Sequence, residues 1–266
     1  MDDPFVALIT GASSGIGEAT AHRLAREPGA RLVLVARREE RLTRLAEQLG
    51  GATVIAADLL EPRAPQAITE TVEREHGRLD LLVNNAGASW RAPFGEGGWE
   101  NVARHMRLNF EAQLRLTEAL LPLLRRTAHG SGARVAIVNV ASTAARVSRP
   151  GSAAYSASKA ALAAWSDGLH AEERAHGVHV GLVLPGFVAT EGFPANELRA
   201  NPVTRLIVSR PEVVAEAIVE AGPGGRAERY VPRGYWLASA ARVLAARLVR
   251  RATAGGAFAT STQPRD

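Results

Sequence analysis

Tyr155 and Lys159 stand four residues apart in the stretch GSAAYSASK that begins at Gly151, and Ser142 lies thirteen residues upstream of the tyrosine. If the stretch is helical, phenol and ammonium share one face, about 6 Å apart along the axis. Such a pair makes a usable proton donor. A free phenol titrates near pH ~10, too high for easy exchange at neutrality. An ammonium about 4 Å away, at an effective dielectric of about 20, favours the phenolate by roughly 4 kcal/mol, or about three pH units. That would bring Tyr155 toward neutrality, where a general acid/base works best. The spacing alone also fits incidental polar residues on an amphipathic helix. Composition sharpens the case, because Lys159 is the only lysine among 32 basic residues. A compact ammonium on a flexible stem does what a forked, permanently charged guanidinium does not.

A second group of residues could hold a dinucleotide. Thr10 to Gly17, TGASSGIG, sits between an apolar run and a helical pattern. There Gly11, Gly15 and Gly17, with Ser13, Ser14 and Ile16 between them, let the backbone turn tightly and approach a pyrophosphate at a helix N-terminus. The spacing is G-x-x-x-G-x-G rather than the general G-x-G-x-x-G. The end of the second apolar run separates the two nicotinamide cofactors. An acid there would accept the ribose 2′-hydroxyl of NAD. This chain has Ala36 followed by Arg37 and Arg38, and guanidinium forks onto phosphate. NADP(H) is therefore expected over NAD(H); the plainer account is that two arginines begin a solvated helix.

Six apolar runs position these residues: Phe5 to Thr10, Arg31 to Ala36, Ala52 to Ala57, Leu79 to Asn84, Arg134 to Val140 and Val178 to Leu184. Helical patterns alternate with them, from the glycine turn to about Arg26, then Glu39 to Leu49, Ala64 to His76, Asn101 to Arg107, Phe110 to Arg126 and Ala153 to His176. Short, nearly continuous apolar strands alternating with helices imply a parallel sheet covered on both faces. Right-handed crossovers make it an α/β doubly wound, Rossmann-type sheet of about seven strands. Further on, Ser209 to Glu212 reads as a capping box with proline in the first turn. Tyr230 to Pro232 reads as a last edge strand. No repeat or linker divides the chain, so one domain is expected over 1–252, with a lid at 187–210 and a flexible tail at 253–266.

The chain has 266 residues, 46% hydrophobic and 22% charged, ordinary for a globular protein with a real core. With no cysteine, it has neither a disulfide framework nor a thiolate metal site; no metal is expected. A net charge of +5 raises nucleic-acid binding, but the arginines are interleaved with glutamates and no zinc-ligand or aromatic-basic motif appears. A positive surface also attracts an anionic cofactor. The acidic start MDDPF lacks a signal peptide's basic flank, and no apolar run nears the ~20 residues that span a bilayer. A soluble cytoplasmic protein is the expectation.

Together these pieces resemble the short-chain dehydrogenase/reductase family, in order and over nearly all of the chain: TGASSGIG at Thr10–Gly17, Asp58-Leu59, NNAG at Asn84–Gly87, Asn109, Ser142, Tyr155, Lys159, and PGFVAT at Pro185–Thr190. The resemblance implies a proton relay of Asn109, Ser142, Tyr155 and Lys159. Tyr155 would exchange a proton with the reacting oxygen, which Ser142 holds. Lys159 would depress the tyrosine pKa and bond the nicotinamide ribose, and Asn109 would hold a water linking lysine to solvent. It further implies that Asp58 and Leu59 contact the adenine, that Asn85, Ala86 and Gly87 contact the adenosine ribose side, and that Pro185, Gly186, Val188 and Thr190 contact the nicotinamide. A homodimer or homotetramer, through helices beginning near Asn109 and Ala153, is implied as well. The activity implied is NADP(H)-dependent interconversion of a secondary alcohol and a ketone. The rivals are reduction of an acyl-carrier-bound ketone or an activated double bond, and a dinucleotide sensor without turnover.

On the substrate side Trp90, Phe94, Thr143 to Val147, Phe187, Phe193 and Leu198 could line the cleft, with Arg91, Arg146 and Arg149 as anchors. Such a lining suits a mostly apolar alcohol or ketone. Trp236 to Arg251 reads as one amphipathic helix, with Leu237, Ala241, Leu244, Ala245, Leu248 and Val249 on one side and Arg242, Arg247, Arg250 and Arg251 on the other. Packing on its own domain or a second subunit is the leading account; contact with an anionic membrane surface is the lesser one.

Overall fold

Successive side chains of a strand point to opposite faces of its sheet. In β1 (Phe5–Thr10), Ala7 and Ile9 enter one buried cluster while Val6 and Leu8 enter another. In β2 (Ala30–Ala36), Leu32 and Leu34 divide from Val33 and Val35 in the same way. Strands apolar on both faces need cover on both. The computed structural model, which describes residues 4–130, 134–191 and 208–254, supplies it. One face carries α1 (Gly15–Leu24), α2 (Glu39–Gln48) and α7 (Pro211–Ala221). The other carries α3 (Ala64–His76), α5 (Ala112–Gly130) and part of α6 (Ala153–Glu173).

The remaining strands of the main sheet are β3 (Thr53–Ala56), β4 (Leu81–Asn84), β5 (Val135–Val140), β6 (Val178–Pro185) and β9 (Glu228–Val231). Their order is β3-β2-β1-β4-β5-β6-β9, a seven-stranded sheet in which every neighbouring pair is parallel. The expected doubly wound fold is what forms. The chain runs outward from β1 to β3, then crosses back to β4, so the winding reverses between β1 and β4. The carboxyl ends of strands at such a reversal are where open α/β sheets hold ligands. The glycine turn leaves β1 at that point and Asn85 leaves β4 beside it.

Three local expectations change. The capping box does not form. Ser209 lies in the two-residue strand β8 (Val208–Ser209), parallel to β7 (Phe187–Val188), and its carbonyl accepts from Ala189 N–H at 3.0 Å. Arg210 therefore occupies the cap of α7 without a side-chain bond. The helix expected at Asn101 begins earlier, as α4 (Phe94–Met106), with Gly98 non-helical inside it. It then runs through a π-helical turn at Arg107–Glu111 into α5. Finally, the C-terminal segment is two helices, α8 (Tyr235–Leu244) and α9 (Ala246–Ala254), separated at Ala245 (φ −135°, ψ 47°). No glycine or proline marks that break, and nothing in the structure explains it. No residue of α8 is buried, and Val243 and Leu244 are more than four-fifths exposed. Leu237, Leu244 and Leu248 of the expected stripe are each more than half exposed. Among the described residues no helix is long and apolar enough to cross a membrane.

Candidate active site

The N-terminal turns of α6 present Tyr155 and Lys159, and the end of β5 presents Ser142. Ser142 is pinned by two bonds: its Oγ accepts from Ala144 N–H at 3.1 Å and donates to the Pro185 carbonyl at 3.3 Å. The ends of β5 and β6 are thereby tied beside the phenol. Tyr155 is partly buried, and burial raises its pKa above the usual tyrosine value. Hydrogen bonding with Ser142 and the positive fields of Arg149 and Arg91 oppose that rise. Lys159 is almost fully buried, and its Nζ donates to the Val140 carbonyl at 2.8 Å. Burial pushes its pKa down to about 8.

This differs from the expectation that Lys159 brings Tyr155 toward neutrality. Helical spacing does put the two on one side of α6, but the long lysine stem bends to the end of β5 and gives one of its three donors to the Val140 carbonyl there. The cations that act on the phenol in this structure are guanidinium groups from neighbouring loops. Geometry of side-chain ends is not fixed by sequence spacing.

Asn109 sits in the π-helical turn, a device common at functional sites. Its Oδ1 accepts from Ala88 N–H at 2.9 Å, and its Nδ2 donates to the Ala88 carbonyl at 2.9 Å and to Ser158 Oγ at 3.1 Å. The side chain thus clamps the loop after β4 onto α6. A Cβ added at Gly87 would stand 2.9 Å from Asn109 Oδ1 and 3.4 Å from Lys159 Nζ. That loop, Asn109 and Lys159 meet at one point.

The dinucleotide-type residues form a cradle with no room for side chains. Gly11 and Gly15 have φ of 66° and 58°, the left-handed region that favours glycine. A Cβ on Gly11 would stand 3.0 Å from Ala86 Cα, and one on Gly15 would stand 2.9 Å from Thr190 Cγ2. Ser14 caps α1 in extended conformation, and its side chain accepts no bond from the helix N–H groups, so the first N–H groups of α1 are left for an anion. Thr10 Oγ1 accepts from the N–H groups of Asn85 (2.9 Å) and Ala86 (3.0 Å), locking the β4 loop against the glycine turn. Gln113 Nε2 holds the Ala86 carbonyl at 2.6 Å from below. A nicotinamide dinucleotide fits such a cradle: bare backbone for a pyrophosphate at a helix N-terminus, flanked by donors. Gly17→Ala tests the fit. Its methyl would lie 2.2 Å from the Gly11 carbonyl oxygen and 2.9 Å from Ala12 Cα, backbone that cannot step aside. Overpacking of this kind costs about 1–3 kcal/mol, which for a chain of this size lowers Tm by about 3–10 °C. Dinucleotide affinity, read by fluorescence titration, should fall more than about tenfold as the turn is displaced.

The other predicted positions fall as follows. Arg38, rather than Arg37, reaches over the glycine turn, donating to Ser13 Oγ (3.0 Å) and Ser14 Oγ (2.7 Å); Arg37 is exposed. Glu191 pairs with Arg41 and approaches Arg38 at 3.5 Å, and these guanidiniums hold its carboxyl down at about 2. Asp58 Oδ1 accepts from Leu60 N–H, shaping the turn after β3, while the Leu59 side chain is buried in the core. Gly186 lies flat against the Tyr235 ring. Val188 is buried, and Ile16 packs against the same cluster.

Two substrate-side expectations change. Phe94 lines a hollow with Ala153 and Ala157, on the opposite side of α6 from Tyr155. Trp90 lines another with Leu59, Leu60 and Arg104. Arg146 pairs with Glu228 at 3.4 Å. Arg149 lies over Phe187. Thr143 to Ala145 form a 3₁₀ turn leading into Arg146 and Val147. Phe193, Leu198 and most of the expected lid lie outside the described residues.

His105 carried no sequence signal beyond its helical setting. It is fully buried, its ring edge-on to Tyr155 (6.1 Å between centroids) and to Trp90 (5.0 Å). Nε2 accepts from Trp90 N–H at 3.0 Å, so Nδ1 carries the hydrogen donated to the Asn101 carbonyl at 2.7 Å. Burial lowers its pKa and keeps the ring neutral. It supports the phenol ring from behind.

The family model described as short chain dehydrogenase matches residues 5–200. An uncharacterized oxidoreductase of Staphylococcus saprophyticus is 36% identical over 190 residues, covering 70% of this chain and 75% of the relative. A fatty acyl-CoA reductase of Mycobacterium tuberculosis is 35% identical over 242 residues, 81% of this chain and 80% of that one. Among solved structures, a short-chain dehydrogenase from Streptomyces avermitilis superposes with a TM-score of 0.75 at 30% identity, covering 95% of this chain and 99% of that one.

Proposed function

The chain belongs to the short-chain dehydrogenases and is an oxidoreductase that works with a nicotinamide dinucleotide; from that premise we propose that it interconverts a secondary alcohol and a ketone, with NADP(H) preferred. The observation that carries the reading is the meeting of Tyr155, Ser142 and Lys159 where the glycine cradle opens. When bound, the cofactor supplies or takes up the hydride. The rest of the chemistry belongs to the chain. Ser142, held by Ala144 and Pro185, orients the reacting oxygen. Tyr155 gives that oxygen its proton in ketone reduction and removes it in alcohol oxidation. Lys159, buried beside Gly87, bonds the ribose side and carries the charge that offsets a phenolate. Asn109 keeps the loop of Gly87 and Ala88 at that spot. Residues 1–252 act as one unit, in a cytoplasmic homodimer or homotetramer.

Arg37 and Arg38 support the NADP(H) preference, since both follow β2 where an acid would favour NAD, and Arg38 reaches the glycine turn. NADPH should bind at least about tenfold more tightly than NADH, the worth of one charge-assisted phosphate contact. Arg38→Ala should remove most of that margin and leave NADH affinity unchanged. Equal affinity for the two reduced cofactors in the starting protein rejects the preference.

A second reading, reduction of an acyl thioester, is favoured by the fatty acyl-CoA reductase, whose match extends over 242 residues. Screening ketones, secondary alcohols and fatty acyl-CoA by absorbance of the reduced nicotinamide separates the two. Turnover of the thioester alone would favour the second.

A further inference from the structure

The helix pair α8 and α9 is amphipathic the wrong way round. In α8, Trp236, Leu237, Val243 and Leu244 fall within one arc of about 120°. All four face water: Trp236 and Leu237 are a little over half exposed, Val243 and Leu244 more than four-fifths. The polar residues Tyr235, Ser239 and Arg242 share the other side and are partly buried. Tyr235 lays its ring on Gly186, where an added Cβ would stand 2.7 Å from it, and Ser239 bonds the Tyr230 hydroxyl of β9. The polar side therefore docks on the protein and holds the apolar side out. In α9, Leu248 is two-thirds exposed, between the exposed Arg247 and Arg251.

Single apolar side chains on a surface are ordinary, but a row of them rimmed by charge marks an interaction site. The charge says of what kind. Between Tyr235 and Ala254 there are four arginines and no acid. Residues 229–266 hold seven arginines and one acid, Asp266, a net of +6 against +5 for the whole chain. The positive charge of the protein thus belongs to this end. A second copy paired through the same face would set arginines against arginines, a juxtaposition that costs affinity. Nucleic acid would meet the guanidiniums and leave the apolar row without a partner. An anionic bilayer surface satisfies both, with headgroup charge for Arg247 and Arg251 and the acyl boundary for the row from Trp236 to Leu248. Tryptophan in the first turn suits the headgroup level, where amphipathic rings settle.

We propose that α8 and α9 lie in the surface of a membrane that carries anionic lipid, apolar side down, and hold the folded enzyme there without crossing the bilayer. This docking is independent of the reaction at Tyr155. The full chain is sedimented with vesicles of phosphatidylcholine alone and of phosphatidylcholine with about 30% phosphatidylglycerol. Partitioning onto the anionic vesicles should be at least about tenfold stronger and should fall as salt rises. Leu244→Glu, at a position open to water, should leave Tm unchanged and lower partitioning at least about tenfold. Arg247→Gln and Arg251→Gln should each lower it about fivefold, whereas Arg247→Lys and Arg251→Lys should keep it. The blue shift of tryptophan emission on binding should vanish in Trp236→Phe. Equal partitioning onto the two vesicles overturns the proposal, as does none onto either. So does a Leu244→Glu variant that binds vesicles as before but sediments differently in buffer, which would give the face to a second copy.

Discussion

Tyr155→Phe is expected to lower kcat by about 10²- to 10⁴-fold, the usual worth of a positioned proton donor, while cofactor affinity stays within about twofold. The substitution removes one oxygen. The ring keeps its edge contact with His105, so the cleft is not emptied, and the cradle at Gly11, Gly15 and Gly17 is untouched. Direction matters as well. Burial raises the phenol above its usual value in the free protein. Ketone reduction needs the protonated form, which is therefore present throughout the neutral range, and its rate should be flat there. Alcohol oxidation needs the phenolate, so its kcat/KM should climb with pH well past neutrality. The oxidation profile should lose that climb in the phenylalanine variant. Retained turnover with an unchanged profile would remove Tyr155 from the reaction.

Much of this was legible in the chain because it depends on backbone. Strands apolar on both faces, such as Val135 to Val140 apart from Asn139, require cover on both, and that requirement with right-handed crossovers leaves few topologies. The glycine turn was legible because only glycine adopts φ near 66° where Ala86 crowds it. Side-chain ends were less legible. Lys159 bonds the Val140 carbonyl, a partner nineteen residues away that no local pattern indicates. Phe94 and Ala153 are separated by 59 positions, so which side of α6 they share emerges only after packing. Ser209 reads as a helix cap on local spacing, but strand pairing with Val188 competes for it and prevails. His105 and Gln113 work through bonds to the backbone of the loop after β4 and have no motif, and the glycine motif that Thr10 opens does not indicate its bonds to Asn85 and Ala86 N–H.

Lys159→Met carries the other large effect, read in stability as well as turnover. The free lysine titrates near 10.5 and the buried one at about 8. Between those values the unfolded chain holds a proton that the folded chain has released, so stability rises with pH across the window. About 2.5 pH units at 1.36 kcal/mol each give on the order of 3 kcal/mol. The contribution is fully present above pH ~10.5 and is lost as pH falls toward ~8. Methionine fills similar space without a charge. Without cofactor, the stability of the starting protein minus that of Lys159→Met should therefore rise by on the order of 3 kcal/mol between pH ~8 and ~10.5, measured by urea unfolding at each pH. Near pH 7 the variant should be the more stable of the two, less about 1 kcal/mol for the lost bond to Val140. Its turnover should still fall about 10²-fold or more, because the amine that would hold the ribose side of the cofactor beside Tyr155 is gone. A flat difference across the window would mean that the amine is solvated, and the convergence of Lys159, Gly87 and Asn109 would then be wrong. The two readouts point in opposite directions at neutral pH: a buried cation that weakens the fold is retained where the chemistry uses it.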